Sequence, residues 1–118
     1  MKISPYFDRS EFACSCGCGF DTVDAELIEV LTTLRKHFGT PVKINSSARC
    51  EKHNTSIGGS PRSQHKHGRA ADIAVTGKTP GEVFSYLDTL YPDQFGLGKY
   101  NSFTHIATRG TKARWGTS

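Results

Sequence analysis

The segment SQHKHGRAADIAV, residues 63–75, contains both the clearest strand signal and the densest set of candidate ligands in the chain. Its second half, RAADIAV, alternates along the chain and is flanked by Gly68 and Gly77, which predicts a β-strand. Its first half carries His65 and His67 in a polar stretch that runs into this strand. The segment is therefore either a metal site mounted on a strand or a polar loop that leads into the core.

A long amphipathic helix is predicted upstream of this segment. Apolar residues recur at helical spacing between Val23 and Phe38. Asp21 or Thr22 is the expected N-cap, and Gly39 is the expected stop before a proline. This periodicity makes the helix the most secure element of the prediction.

A second long helix is predicted at residues 79–92, where Thr79 is the N-cap, Pro80 takes the first helical position and Glu82 completes a capping box. The other predicted elements are a strand at 42–45, a helical turn within 50–60 and a third strand at 102–108. This order indicates a small α+β fold with helices packed on an antiparallel sheet. We expect one domain, residues 1–118, because a chain of this length buries one modest core.

The net charge of the chain only weakly restricts the classes of molecule that it could bind. The chain has 15 Lys+Arg against 11 Asp+Glu, a formal net charge of +4. This excess favours polyanions such as nucleic acid, anionic membrane or a cell-wall polymer. The basic residues form no stripe, which argues against a nucleic-acid partner. No run approaches the length of a membrane span, and the N-terminus lacks the apolar core of a secretory signal, so we expect synthesis in the cytoplasm and no stable membrane insertion.

The four cysteines leave three interpretations open. Cys14, Cys16 and Cys18 are clustered and Cys50 is distant. They are too few and too clustered for a secreted disulfide framework, and the C-x-C-x-C spacing differs from common zinc ribbons. A small metal clip, a disulfide between the cluster and Cys50, and free thiols all remain possible.

The candidate catalytic metal site combines three residues. If His65 closes a loop and Asp72 lies on the strand that follows, their side chains can converge on one point. Imidazole nitrogen and carboxylate oxygen suit zinc, and a catalytic zinc needs three protein ligands. His105 is the best third ligand, with Phe103 and Ile106 expected to point the other way. His67 is its rival, because His65-x-His67 is itself a plausible pair.

Further polar and aromatic residues are candidates for substrate binding. Arg49 follows a strand and a Ser-rich turn, where a guanidinium suits a substrate carboxylate or a developing oxyanion. Ser63 can hydrogen-bond substrate or hold the loop. Tyr100 and Trp115 are interleaved with basic residues near the C-terminus. We expect Tyr100 and Trp115 to contact the substrate, with a solvated basic face as the alternative interpretation of this segment.

The joined motifs resemble a known family. SSARCEKHNTSIGGSPRSQHKHGRAADIAV, residues 46–75, together with GLGKYNSFTHIATRGTKARW, residues 96–115, is similar to the zinc D-alanyl-D-alanine carboxypeptidases, in the small phage and bacterial branch of peptidoglycan peptidases. The resemblance implies a small α+β fold shared with hedgehog signalling domains. It implies that His65, Asp72 and His105 bind Zn²⁺, that Arg49 contacts the substrate or transition state, and that His67 lines the cleft.

One position departs from this branch. The family pattern places an acid two residues after the last histidine ligand, where this chain has Ala107. Residues two apart on a strand share a face, so an acid there would lie beside His105 and could act as a general base. We therefore expect that the chain with Ala107 is an inactivated or impaired form.

The resemblance implies metal-assisted hydrolysis of an amide bond in the stem peptides of peptidoglycan. A monomeric phage endolysin, carried to the wall through a holin-type pore or by a virion, fits a single domain without a wall-anchoring module. Two alternatives remain: a catalytically dead zinc module that binds peptidoglycan, which Ala107 favours, and a nucleic-acid-binding metal domain, which the net charge and the cysteines favour.

Overall fold

A five-stranded sheet forms the centre of the computed structural model, which describes residues 5–14, 16–18, 23–57, 68–108 and 112–116. The strands lie in the order β1-β2-β4-β3-β5. Adjacent strands are antiparallel except β3 and β5, which are parallel. The strands are β1 (Val42–Ser46), β2 (Ala70–Val75), β3 (Gly96–Lys99), β4 (Thr104–Ala107) and β5 (Ala113–Gly116).

Within the described ranges, three α-helices and a short 3₁₀ helix accompany the sheet. They are the 3₁₀ helix (Arg9–Phe12), α1 (Ala25–Phe38), α2 (Glu51–Ser56) and α3 (Pro80–Leu90). The α+β class is confirmed, and the three predicted strands pair antiparallel. The sheet as a whole is mixed, because β5, which was not predicted, runs parallel to β3. Among the described residues, no helix is long and apolar enough to cross a bilayer.

The alternation of β2 divides the sheet into two faces. Ala71, Ile73 and Val75 are buried in the core with Leu97 and Ile106 of the neighbouring strands. One helical face each of α1 and α3 covers this side of the sheet, through Leu27, Val30, Leu31, Leu34, Val83 and Leu87. Because successive side chains of a strand point to opposite faces, Asp72 and His105 project from the other side. The hydrophobic core thus packs against one face of the sheet, and the candidate ligands Asp72 and His105 lie on the other face.

The first helix begins later than predicted. Its N-cap is Asp24 rather than Asp21 or Thr22. The backbone N–H of Asp24 donates to the carbonyl of Gly68 at 2.8 Å, and its carboxylate accepts a hydrogen bond from Thr108 at 3.2 Å. These contacts with distant residues anchor the entry to α1, which periodicity cannot reveal. The predicted stop is confirmed, because Gly39 takes the left-handed conformation, with a φ of 67°.

The start of α3 follows the prediction. Thr79 accepts a hydrogen bond from the backbone N–H of Glu82, and the Glu82 carboxylate accepts one from the backbone N–H of Thr79. Both contacts satisfy N–H groups that a helix start leaves without partners. The capping-box pattern in the sequence was therefore sufficient to predict where α3 begins.

Candidate active site

Asp72 and His105 are cross-strand partners on β2 and β4. Asp72 Oδ1 lies 2.8 Å from His105 Nδ1, and both side chains are largely buried. The expectation that the third predicted strand neighbours the second is thereby confirmed.

A row of paired residues extends from this pair across all five strands. Ser46 pairs with Asp72 on one side, and Gly98 pairs with His105 on the other. Trp115 on β5 then pairs with Gly98 on β3. Residues paired across neighbouring strands point to the same face, so the row places these side chains side by side.

Arg49, immediately after β1 and its Ser-rich turn, completes a cavity around this row. The cavity has a volume of about 240 Å³ and is lined by Arg49, Asp72, Tyr100, Phe103 and His105. Arg49 Nη2 is 3.9 Å from Asp72 Oδ2. The arrangement places a guanidinium, a carboxylate and an imidazole around one open space.

Hydrogen bonds hold the Arg49 guanidinium in place. Nη1 donates to the Asn54 side-chain oxygen at 3.0 Å, and Nη2 donates to Ser46 Oγ at 3.5 Å. Asn54 is almost completely buried. Nε of Arg49 is buried and has no acceptor among the described residues. Asn54 on α2 therefore helps to hold the Arg49 guanidinium in position.

Three aromatic residues form one wall of the site. Tyr100 and Phe103 stack with ring centroids 4.6 Å apart, and Trp115 Nε1 donates to the Tyr100 hydroxyl at 2.7 Å. The Trp115 and His105 ring centroids are 5.4 Å apart. Tyr100 lines the cavity and Trp115 contacts Tyr100 beside it, and their contact with substrate stays a prediction. The expectation that Phe103 points away from His105 is wrong: it lines the same cavity, because the two residues are two apart.

Ala107 lies in the next row of the same face. It is fully buried and pairs with Ala70 on one side and Gly96 on the other. Neither Ala70 nor Gly96 is larger than Ala107 itself. The only carboxylate among the described residues that line the cavity belongs to Asp72.

Several predicted site residues cannot be placed. Ser63, His65 and His67 lie outside the described residues, so the third metal ligand and the loop that carries it stay predictions. The described part of the predicted ligand set, Asp72 and His105, is brought together.

The side chains of Asp72 and His105 fit a zinc ion. Two ligand atoms at about 2.0 Å from a tetrahedral zinc lie about 3.3 Å apart. The observed 2.8 Å between Oδ1 and Nδ1 is a hydrogen-bond distance, about 0.5 Å shorter than that spacing, so a small separation of the two side chains would admit an ion. A mixed nitrogen and oxygen donor set is also one of those that catalytic zinc sites use.

His37 belongs to a different part of the molecule. Its ring stacks on Tyr86 with centroids 3.7 Å apart, at a larger cavity of about 710 Å³ that also contacts Phe38 and Lys99. The paired acid and imidazole and the arginine occur at the smaller cavity instead.

A second group of side chains that could hold a metal ion includes Cys50, the residue after Arg49. The ligand atoms of Cys14, Cys16, Cys18 and Cys50 all lie within 4.8 Å of one another. Burial, the largest influence, raises the pKa of Cys14, but hydrogen bonds from the backbone N–H groups of Cys16 and Cys50 and from neighbouring thiols together lower it to about 7. Contact with the Cys18 thiol is the main cause that raises the pKa of Cys16 to about 12.

The sequence matches one protein family over most of its length. The family model described as Peptidase M15 matches residues 5–107. The chain belongs to the M15 peptidases. M15 peptidases are zinc-dependent metallopeptidases, and the resemblance seen in the sequence is confirmed at this level. The matched range of this M15 peptidase includes Arg49, Asp72, His105 and the cysteine cluster. No curated protein matches the chain.

Proposed function

We propose that this M15 peptidase hydrolyses an amide bond in the stem peptides of peptidoglycan. The observation that carries the proposal is the Asp72–His105 pair facing Arg49 within one cavity. This constellation joins a metal-binding pair to a fixed cation, as cleavage of a peptide with nearby carboxylates requires.

We assign the zinc ligands to Asp72, His105 and His65. The first two are adjacent in the structure, and His65 follows from the family motif. Zinc held there would polarise the scissile carbonyl and activate a water molecule.

Arg49 and the aromatic wall bind and orient the peptide. The guanidinium, held by Asn54 and Ser46, is placed to bind a stem-peptide carboxylate or the oxygen that becomes negative during attack. Tyr100 and Trp115 provide an amphipathic surface beside the pair, and we assign Ser63 and His67 as further substrate contacts from the sequence. The net charge of +4 also suits an anionic polymer.

Ala107 leaves the site without the acid that proton transfer requires. Asp72 is the carboxylate of the described lining, and it is assigned to the metal. We therefore propose that the chain with Ala107 is impaired and that an aspartate at this position supplies the base.

The biological setting follows from the same proposal. A single catalytic domain that degrades the wall is suited to a phage endolysin, made in the cytoplasm and delivered by a holin-type pore or a virion. We propose a monomer, since the site is assembled within one chain.

The test compares the chain with its Ala107→Asp and Ala107→Asn variants on purified peptidoglycan. New amino groups and released fragments are measured by mass spectrometry. The proposal predicts that Ala107→Asp releases fragments much faster than the other two forms, because asparagine has a similar size and cannot take a proton. Equal rates for all three forms would show that position 107 holds no base, and no release by any form would contradict the peptidase assignment.

A binding module is the second candidate, and the buried Ala107 favours it. Such a module would keep the metal and the cleft without hydrolysis. Sedimentation with intact peptidoglycan separates the two: retention by the wall without release of amino groups, also in Ala107→Asp, supports the binding module. Salt-dependent binding to DNA, in contrast, would support a nucleic-acid-binding domain.

A further inference from the structure

We propose that Cys14, Cys16, Cys18 and Cys50 bind a second, structural zinc ion, separate from the catalytic site. Three of them follow one another in a loop after the 3₁₀ helix, and Cys50 follows Arg49 between β1 and α2. Cys18 and Cys50 are 32 positions apart in the chain, so the fold itself brings Cys50 to the other three cysteines.

The sulfur positions match a tetrahedral thiolate site. Zinc binds cysteine sulfur at about 2.3 Å, and four ligands at the corners of a tetrahedron then lie about 3.8 Å apart. The observed Sγ–Sγ distances are 3.4 Å for Cys14–Cys16, 3.8 Å for Cys14–Cys50 and 3.6 Å for Cys16–Cys50. Cys18 completes the group, since all four ligand atoms lie within 4.8 Å of one another.

The segment that carries the first three cysteines turns tightly at Gly17. Gly17 has a φ of 79°, which side chains other than glycine rarely tolerate, and its N–H donates to the carbonyl of Cys14. The backbone N–H of Cys50 donates to Cys14 Sγ at 3.5 Å. Backbone N–H groups directed at a ligand sulfur are a common feature around metal-bound thiolates.

A disulfide accounts for this arrangement less well. It requires two sulfurs to come within about 2.05 Å, and it would use only two of the four thiols. Four sulfurs converge instead, although Cys16 and Cys18 are exposed and hydrophobic burial does not drive them inward. A divalent ion accounts for all four positions.

This zinc would fix the position of the substrate-binding arginine. Cys50 adjoins Arg49, and the backbone N–H of Ala48 donates to the carbonyl of Phe12 at 2.9 Å, so the N-terminal segment already contacts this strand end. A metal shared by both segments would join them firmly, and binding would release thiol protons. Its contribution is to folding and to the placement of Arg49, whatever reaction the cleft performs.

The experiment isolates this site by removing the other one. His105→Ala is purified under reducing conditions, and its zinc content is compared with that of His105→Ala carrying Cys16→Ser and Cys18→Ser. The proposal predicts one zinc per chain in the first and none in the second. Replacement by Co²⁺ should give strong thiolate-to-cobalt charge-transfer absorption in the first protein alone.

The unaltered chain provides a readout that does not depend on folding of a variant. Its cobalt form should show the same absorption, and its thiols should react with a thiol reagent slowly until a chelator removes the metal. Immediate reaction of all four thiols in the metal-loaded chain, or a disulfide found by mass spectrometry after alkylation, would overturn the proposal. A zinc content that the serine substitutions leave unchanged would also overturn it.

Discussion

Asp72 and His105 lie directly opposite each other on β2 and β4, with Oδ1 and Nδ1 2.8 Å apart. This contact depends on register, because a shift of one residue in either strand would turn one of the side chains into the core. The buried Ile73 and Ile106, adjacent to them in the chain, fix that register. The core on one face of the sheet thus positions the Asp72–His105 pair on the other.

Asn54 is expected to matter for both stability and peptide binding. Asn54→Ala removes the acceptor of Arg49 Nη1 in a buried site, so the free energy of unfolding should fall by about 1–3 kcal/mol. Affinity for a stem peptide with a free carboxylate should fall as well. Urea unfolding and calorimetric titration measure the two effects.

Asn54→Asp is the matched control, because it keeps an oxygen acceptor for Arg49. Its peptide affinity should lie closer to that of the parent than the affinity of Asn54→Ala. Unchanged affinity in Asn54→Ala would mean that Asn54 does not position the arginine.

Gly98 is expected to be essential for the placement of Trp115. A Cβ at residue 98 would lie 2.5 Å from Trp115 Nε1, so Gly98→Ala must displace the indole and break its hydrogen bond with Tyr100. We expect a loss of about 1–3 kcal/mol in the free energy of unfolding. Since Trp115 is the single tryptophan of the chain, its fluorescence reports the displacement directly.

Gly81→Ala serves as the comparison for this substitution. A Cβ there makes only ordinary contacts, the nearest at 3.8 Å, in the first turn of α3. It should leave the fluorescence unchanged and stabilise the fold by up to about 1 kcal/mol. An unaltered Trp115 spectrum in Gly98→Ala would refute the predicted close approach.

Arg114 is expected to contribute to folding rather than to a basic surface. Its guanidinium donates to the carbonyls of Phe95, Tyr91 and Gln94 and, through Nε, to Asp88. Phe95 itself has a φ of 66°, which is unusual for a residue other than glycine. Arg114→Ala should lower the free energy of unfolding by about 2–4 kcal/mol, because several carbonyls lose a charged donor.

Asp88→Asn distinguishes the carbonyl contacts from the ion pair. Asp88 is about half exposed, so loss of its charge should cost less than about 1 kcal/mol. Thermal and urea unfolding of the two variants should differ clearly. Similar losses in both would mean that the ion pair, rather than the carbonyl cluster, gives Arg114 its role.

Local signals predicted much of the fold, and non-local pairing accounts for most of the rest. The capping box of α3 and the alternation of β2 are short-range patterns, and both are confirmed. Strands β3 and β5 were not predicted. GLGK has glycine at every second position and shows no polar alternation, and β5 is defined by its parallel pairing with β3 rather than by its own sequence.

The candidate site likewise has features that local sequence signals predicted and features that depend on non-local packing. The convergence of Asp72 and His105 could be predicted once two strands were assumed to be neighbours. The role of Asn54 behind Arg49 and the position of Phe103 in the cavity depend on how α2 and the β3–β4 turn pack. The cysteine cluster had no recognisable spacing, since Cys50 joins the other three only through the fold.

The number of zinc ions bound by His105→Ala, relative to the parent chain, tests the central claim most directly. His37→Ala is the control, because it also removes an imidazole, from the exposed stack with Tyr86. Metal content is measured on folded, reduced protein after dialysis. The account predicts that His105→Ala contains one zinc per chain fewer than the parent and that His37→Ala contains the same number. Equal zinc in His105→Ala and the parent would contradict the assignment of the catalytic metal to the Asp72–His105 pair.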